Sequence, residues 1–151
     1  MVRIRRASEA DLPQVAAVQQ ASPEAARWDV AEYLRYDFWV ADFYESNRTP
    51  GPDGCRIAGF LVARTLTEGE REVLNLAVMP AFRRRGVARE LVDSFLGMAR
   101  GAVYLEVRES NRAAREFYKS MGFKMFSQRS GYYNSPGGLV EPAIVMKFHS
   151  C

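Results

Sequence analysis

The stretch of sequence best suited to bind an anion is a basic loop, Arg-Arg-Arg-Gly-Val-Ala at positions 83–88. It follows an apolar segment and precedes residues with helical spacing, so we expect it at a helix N-terminus. Backbone N–H groups there have no intrahelical partner, and the helix dipole favours negative charge. Gly86 allows the backbone to approach a bulky diphosphate, and the small Ala88 leaves room for it. The loop has neither a P-loop Lys-Ser/Thr pair nor a Gly-x-Gly-x-x-Gly fingerprint, so it also fits a solvated basic loop before a surface helix.

Glu106 and Tyr118 are side chains that could move protons in a reaction. Glu106 closes a predicted strand, and Tyr118 lies twelve positions later, on the helix predicted to follow. Because such a helix packs back beside its strand, both side chains can border one cleft. Each also has an ordinary structural interpretation. Glu106 would then face solvent from its strand, and Tyr118 would be a core aromatic.

Hydrophobic periodicity and turn residues predict one mixed α/β domain over residues 1–151. Strands are predicted at 2–6, 38–44, 57–66, 72–78, 103–107, from Phe123 onward and at 143–148. Helices are predicted after Ser8, from Asp29 through Tyr36, from Val87 until Gly101, and from a cap at Ser110 or Asn111 to Met121, with Gly122 just beyond. Residues 47–54 and 132–138 are predicted to be loops.

The composition fits a globular protein that needs no disulfide or metal. Hydrophobic residues make up 48% of the 151 residues, enough for a normal core. The two cysteines, Cys55 and Cys151, are far apart, which favours a reducing cytoplasm. A single histidine, His149, with two scattered cysteines gives no credible zinc site. No apolar run approaches the roughly 18 residues of a membrane span, and no hydrophobic signal region follows the basic N-terminus.

The loop and the segment before it resemble a known cofactor signature. Arg83-x-x-Gly86-x-Ala88, preceded by Leu-Asn-Leu-Ala-Val at 74–78, resembles the acetyl-coenzyme A signature of the GCN5-related N-acetyltransferase superfamily. The resemblance implies a mixed, mostly antiparallel sheet flanked by helices, with a splayed central strand pair holding acetyl-coenzyme A. Loop amides would hold the pyrophosphate, and the strand would hold the pantetheine arm. The cofactor-binding residues implied are Leu76, Ala77, Val78, Arg83, Arg84, Arg85, Gly86, Val87, Ala88, Arg89 and Asn111.

The following segment extends the resemblance to a subfamily. Leu-Glu-Val-Arg-x-Ser-Asn at 105–111 and Asn-x-x-Ala-x-x-Phe-Tyr-x-x-x-Gly-Phe at 111–123 are similar to the bacterial ribosomal-protein alanine N-α-acetyltransferases. The resemblance implies that the acceptor is the N-terminal α-amine of a protein, such as a ribosomal protein. The implied acceptor-binding residues are Tyr132, Tyr133, Trp28 and Glu141. Asn134 departs from the proline typical of the subfamily, and Glu141-Pro142 replaces its usual acidic pair.

The resemblance also implies roles for the two proton-moving side chains. An α-amine has a pKa of about 7.7–8.0 against about 10.4 for Lys, so a modest base such as Glu106 suffices to make it neutral. Tyr118 could protonate the departing thiolate. The amine would attack directly, without an acetyl-enzyme, and Cys55 and Cys151 are not suited to be nucleophiles.

Two other functions and several ordinary interpretations remain open. One alternative is acetylation of a small amine, such as an antibiotic, polyamine or amino acid, since fold does not determine the acceptor. The tyrosine pair together with Glu106 favours a peptide. The other is a nucleic-acid-binding module, which the apolar helix directly after the arginines disfavours, because no aromatics are interleaved with them. The predicted acceptor-binding residues also have ordinary structural interpretations. Trp28 would then be a core residue, the tyrosine pair would pack on a hairpin, and Glu141 would be a solvated residue of a strand.

Overall fold

The computed structural model describes residues 2–23, 25–44, 56–134 and 140–150, with the backbone alone described at 131–134, 140 and 150. The strands are β1 (Val2–Arg6), β2 (Asp37–Phe43), β3 (Arg56–Thr67), β4 (Glu70–Val78), β5 (Gly101–Arg108), β6 (Lys124–Asn134) and β7 (Val140–Ser150). The α-helices are α1 (Leu12–Gln20), α2 (Val87–Met98) and α3 (Arg112–Ser120). Short 3₁₀ helices span Glu9–Asp11, Val30–Arg35 and Pro80–Phe82. Among the described residues, no helix combines the length and apolar character needed to cross a membrane.

The described strands form one seven-stranded sheet in the order β1-β2-β3-β4-β5-β7-β6. β1 with β2, β2 with β3, β5 with β7 and β6 with β7 are antiparallel. β4 and β5 are parallel, and their residue pairs run from Glu70↔Ala102 to Glu72↔Tyr104. The predicted mixed, mostly antiparallel sheet is therefore confirmed.

The short helix predicted from Asp29 through Tyr36 is confirmed as a 3₁₀ helix, and Asp29 caps it by accepting from the Ala31 N–H at 3.0 Å. The predicted end of the next helix at Gly101 was wrong. α2 ends at Met98, and Gly101 begins β5 instead of ending the helix. Gly101 has φ +98°, and a Cβ there would lie 2.2 Å from the Gly69 carbonyl oxygen, so the glycine is required by a close backbone approach.

The predicted loop at 132–138 was wrong at its start, because residues 132–134 continue β6. Tyr133 pairs with Glu141, and Asn134 with Val140, across the antiparallel ladder to β7. Aromatic residues favour strands, and this preference outweighed the turn residues that follow. Residues 135–139 and the predicted loop at 47–54 lie outside the described residues.

The chain divides into two compact units, of which the first comprises Met1–Arg64 and Leu74–Phe95. Its core includes Val15 and Val18 of α1, with Tyr33, Phe38 and Phe60. The Tyr33 ring contacts those of Phe38 and Phe60 at centroid distances of 5.5 and 5.7 Å. This aromatic packing supports β2 and β3.

The second unit comprises Thr65–Val73 and Leu96–Cys151. β5 alternates, with Val103, Leu105 and Val107 buried, so Glu106 and its alternate neighbours lie on the opposite face. Met121 and Phe123 at the end of α3 are also buried. Gly122 has φ +100°, which confirms the predicted glycine just after this helix.

A charged network stabilises the start of the first unit. Arg5 contacts both oxygens of Asp11 at 2.8 Å and Asp42 at 2.7 Å, and Arg3 also reaches Asp42 at 2.9 Å. The Asp42 side chain is only 2% exposed, so it needs these cations. The hydrogen bonds from Arg5 hold the pKa of Asp11 below its usual value, despite the opposing effect of burial.

We expect Arg5→Met to lower the free energy of unfolding by about 3 kcal/mol, near the lower end for breaking a buried ion pair, because Arg3 still reaches Asp42. The lowered pKa of Asp11 means that the unfolded state binds its proton more tightly. This part of the stability is therefore present above the unfolded-state pKa of about 3.9 and is lost as the pH falls through the folded-state pKa. Urea unfolding across the acidic range measures both effects.

The matched control is Arg35→Met, which removes an exposed arginine paired with Glu32 at 3.4 Å and should cost at most about 0.5 kcal/mol. Arg5→Met should also weaken the acid dependence of stability. Wild-type and Arg5→Met curves that run parallel as the pH falls would contradict the assignment of this dependence to Asp11.

Candidate active site

The basic loop in the first unit has an unusual backbone at two positions. Arg84 has φ +64° and Gly86 has φ +77°, both in the left-handed region. The Glu90 N–H donates to the Gly86 carbonyl at 3.0 Å and closes the first turn of α2. The amides of Val87, Ala88 and Arg89 belong to this first turn, where the N–H groups of a helix point toward its N-terminal end. The predicted position of the loop at a helix N-terminus is confirmed.

Gly86 combines a left-handed conformation with open space. A Cβ built on it would meet nothing within 4 Å, and residues 83–86 are exposed. Ala88 is half-buried. A polar ligand can therefore approach the backbone at Gly86, and the start of α2 favours an anion.

Arg85 is held by two aromatic rings that the sequence did not connect with the loop. Its guanidinium carbon lies 5.2 Å from the Phe43 ring centroid and 5.8 Å from that of Phe82. The two rings are themselves 4.7 Å apart. These cation–π contacts restrain the side chain, so Arg85 differs from a simple solvated cation.

The three β4 residues predicted to bind the cofactor differ in exposure. Leu76 and Val78 are half-buried, whereas Ala77 is 5% exposed and belongs to the core. A Cβ on Gly59 would lie 2.7 Å from the Ala77 carbonyl oxygen, so β3 and β4 approach closely there. The Ala77 side chain is thus committed to the core, and its predicted cofactor contact would have to come from its backbone.

Asn75, in the middle of the same strand, was missed by the sequence analysis. Its side-chain amide donates to the Tyr33 hydroxyl at 3.0 Å and to the Ala26 carbonyl at 3.1 Å, and its Oδ1 accepts from the Ala26 N–H at 3.3 Å. The Tyr33 hydroxyl also donates to Gln19 Oε1. Asn75 is 6% exposed, so this buried network fixes the chain segment before Trp28.

The core interpretation of Trp28 was wrong. Trp28 is 46% exposed, and its ring touches Tyr33 at a centroid distance of 6.4 Å. Its carbonyl accepts from Gln19 Nε2 at 2.7 Å. Tyr33 occupies the interior, and the anchored backbone leaves the tryptophan ring at the surface.

Asn111, in the second unit, is the N-cap of α3. Its Oδ1 accepts from the Ala114 N–H at 3.1 Å, which decides between the two predicted caps, Ser110 and Asn111. The predicted contact of Asn111 with a cofactor stays a prediction.

Tyr118 lies inside the second unit, on the buried side of α3. Its ring packs against Phe117 and Phe123, with centroid distances of 5.1 and 5.5 Å. Burial raises the pKa of the Tyr118 hydroxyl. The hydroxyl therefore stays protonated near neutral pH, and its predicted role as proton donor stays a prediction.

Glu106 has a cationic partner that the sequence did not indicate. Arg129 Nη1 on β6 lies 2.7 Å from Glu106 Oε1, and the Glu106 side chain is 23% exposed. The two residues are 23 positions apart, and only the order of strands β5, β7 and β6 brings them together. No short motif could have revealed this pair.

The solvated interpretation of Glu141 was also wrong. Its side chain is 15% exposed, and its Oε1 accepts from Ser110 Oγ at 3.0 Å and lies 3.5 Å from Arg108 Nη1. The Glu109 N–H also donates to the Pro142 carbonyl at 3.1 Å. Glu141 thus links the β5–α3 turn to the start of β7. Because Oε1 is already engaged, the carboxylate is less suited to hold a substrate amine alone.

The remaining predicted site residues are described in part or not at all. The backbones of Tyr132 and Tyr133 lie in β6, next to β7. Cys55 and Cys151 lie outside the described residues. The acceptor-binding role of the tyrosine pair stays a prediction.

The chain matches the acetyltransferase (GNAT) family over residues 5–123 and therefore belongs to that family. A ribosomal protein bS18-alanine N-acetyltransferase of Haemophilus ducreyi is 38% identical over 97 residues, covering 62% of this chain and 66% of the relative, slightly less than two thirds of its length.

Two solved structures resemble the whole chain. The ribosomal-protein-S18-alanine N-acetyltransferase of Escherichia coli has a TM-score of 0.81 and 26% identity, covering 99% of this chain and 94% of that one. Ard1 from Thermoplasma volcanium has a TM-score of 0.80 and 27% identity, covering 99% and 98%. The seven-stranded mixed sheet flanked by helices is the fold of this family.

Proposed function

We propose that this GNAT protein transfers the acetyl group of acetyl-coenzyme A to the N-terminal α-amine of a protein. The observation that carries the cofactor side is the loop at 83–88, with its exposed left-handed glycine and its place at the N-terminus of α2. On the acceptor side, the name of the Haemophilus ducreyi relative supports an N-terminal alanine of a ribosomal protein. Such an acceptor would place the reaction in the cytoplasm.

The residues present fit the cosubstrate by their chemistry. A pyrophosphate requires several N–H donors and positive charge, and the loop offers both. We propose that the amides from Gly86 to Arg89 hold the pyrophosphate, with Arg83, Arg84 and Arg85 adding charge. Leu76, Ala77 and Val78 would hold the pantetheine arm, Ala77 through its backbone, and Asn111 would donate from its side-chain amide, since its Oδ1 caps α3.

Glu106 and Tyr118 would carry the proton transfers. Bound acetyl-coenzyme A supplies a thioester carbonyl open to attack by a neutral amine. Glu106 accepts a proton from the amine, directly or through water, as the carbon–nitrogen bond forms. Tyr118 donates a proton to the sulfur as the carbon–sulfur bond breaks. Positioning of the two substrates contributes most of the rate, and no acetyl-enzyme is needed.

The acceptor chain would lie against the remaining predicted residues. Trp28 offers an exposed aromatic surface on an anchored backbone, and the tyrosine pair follows Arg129 on β6. We propose that Glu141 acts on the acceptor side mainly by holding the β5–α3 turn through Ser110 and Arg108.

At neutral pH we expect α-amines to be acetylated at least about 10²-fold faster than Lys ε-amines, because the pKa gap of about 2.5 units makes far more of the α-amine neutral. The measurement is acetyl transfer to peptides with an N-terminal alanine and one internal lysine, with mass spectrometry to locate the product. N-terminally blocked peptides and free polyamines are the controls. Mainly ε-acetylated peptide, or faster turnover of the polyamines, would overturn the assignment of the acceptor.

A further inference from the structure

One face of the second unit carries a contact that spans three strands. Glu106 on β5 pairs with Val145 of β7, and Arg129 on β6 pairs with Ala143, two residues away on the same strand. The Arg129 side chain therefore crosses β7 to reach Glu106 Oε1, with a nitrogen–oxygen distance of 2.7 Å. This is a short, charge-assisted hydrogen bond.

Stability is a poor explanation for this contact. The side chains of Arg129 and Glu106 are 52% and 23% exposed, and exposed ion pairs contribute little to folding. β6 and β7 are already joined by a long antiparallel ladder. What the contact does determine is the orientation of the carboxylate.

The other charged groups of this face have different contacts. On β5, Arg108 pairs with Glu141. On β7, Lys147 lies over the rings of Tyr104 and Phe126, at 5.4 and 5.0 Å. On β4, Glu72 is the partner of Tyr104 in the parallel ladder, a further acidic group on this side of the sheet.

Among the described residues, Arg129 is thus the cation in contact with Glu106, and it occupies Oε1 alone. Oε2 is the carboxylate oxygen that this contact does not hold, and its direction is fixed once Oε1 is held.

We infer that Arg129 is a positioning residue for acetyl transfer, which holds Glu106 by Oε1 and so fixes the direction of the carboxylate for the acceptor amine. The inference rests on the proposed role of Glu106 as base. It adds a residue that acts through Glu106 without touching either substrate. Loss of Arg129 should therefore lower kcat and leave KM for acetyl-coenzyme A nearly unchanged.

The experiment compares kcat and KM for Arg129→Gln, Arg129→Lys and Arg100→Gln, each in the wild-type and Glu106→Gln backgrounds. We expect Arg129→Gln to lower kcat by about tenfold and to leave KM for acetyl-coenzyme A nearly unchanged, because only the orientation of the base is lost. Arg129→Lys should restore most of the lost kcat. Arg100→Gln removes an exposed arginine of the same unit and should change neither kcat nor KM.

The Glu106→Gln background separates the role of Arg129 from the role of Glu106 as base. Arg129→Gln should have no further effect there, because nothing is left to position. If Glu106→Gln lowers kcat and Arg129→Gln does not, the inference about Arg129 fails and the base survives. If Glu106→Gln itself leaves kcat and its pH dependence unchanged, the proposed base fails, and the role of Arg129 with it. A raised KM with an unchanged kcat in Arg129→Gln also overturns the inference.

Discussion

Replacing Tyr118 with Phe is expected to lower kcat for acetyl transfer by about 10²–10⁴-fold, the range for lost general acid or base catalysis. The substitution removes only the hydroxyl and keeps the ring packing against Phe117 and Phe123. The native hydroxyl holds its proton near neutral pH, and burial, which raises its pKa, makes it a weaker acid, so proton transfer to the sulfur would have to accompany cleavage of the carbon–sulfur bond. A thiol has a pKa of about 8.5, which makes such help useful for its departure.

The effect should appear in kcat and leave coenzyme A affinity and folding nearly unchanged. Among the described residues the Tyr118 hydroxyl has no hydrogen-bond partner, so its removal leaves no buried group unsatisfied. Tyr104→Phe is the matched control, because the Tyr104 ring also packs against a phenylalanine of the second unit, at 5.5 Å from Phe126. Steady-state kinetics and calorimetry measure both variants. A folded Tyr118→Phe protein with wild-type kcat would exclude Tyr118 as the acid.

Replacing Gly86 with Val is expected to weaken coenzyme A binding at least about tenfold, or 1.4 kcal/mol. The added side chain would enter the open space over the loop, where the structure has no atoms within 4 Å of a Cβ. It would therefore meet the ligand and no part of the protein. The left-handed φ of +77° adds strain of about 1–2 kcal/mol, which a stable protein tolerates.

Gly69→Val controls for that strain. Gly69 has φ +81° and also has open space around a Cβ, but it lies in the turn between β3 and β4, outside the basic loop. Both variants should lose similar stability, and only Gly86→Val should bind coenzyme A more weakly by calorimetry. Equal affinities in the two folded variants would remove the loop from the cofactor site.

Several features could be predicted from the sequence because they depend on neighbours along the chain. The helix at Val87 and the left-handed glycine before it follow from local spacing and from the lack of a Cβ. The cap at Asn111 and the glycine at 122 follow from hydrogen bonds within one helix turn. The same local signals carried the resemblance to the acetyltransferase family, which the match over residues 5–123 confirmed.

Local signals failed where packing chose between two reasonable environments. Trp28 is apolar enough for the core, but the neighbouring Tyr33 is buried and Trp28 is exposed. Glu141 carries a charge that favours exposure to solvent. In the structure its carboxylate instead contacts Ser110 in the β5–α3 turn and Arg108 on β5. The polarity of a side chain makes some environments more favourable than others, but it does not by itself decide between the core, a partly buried contact and the solvent.

The sequence by itself thus determined the family, the order of the elements and the place of the basic loop at the start of α2, since each depends on residues close together in the chain. Only the tertiary structure decided the partners of the chemical groups. Arg129 meets Glu106 across 23 positions, and Asn75 meets Gln19 across 56. Such contacts depend on strand order and register, and a shift of one residue in a strand would turn every side chain to the opposite face. The physical reason is that strand pairing in a sheet brings together residues that are far apart in the chain, and their spacing in the sequence does not show which of them will meet.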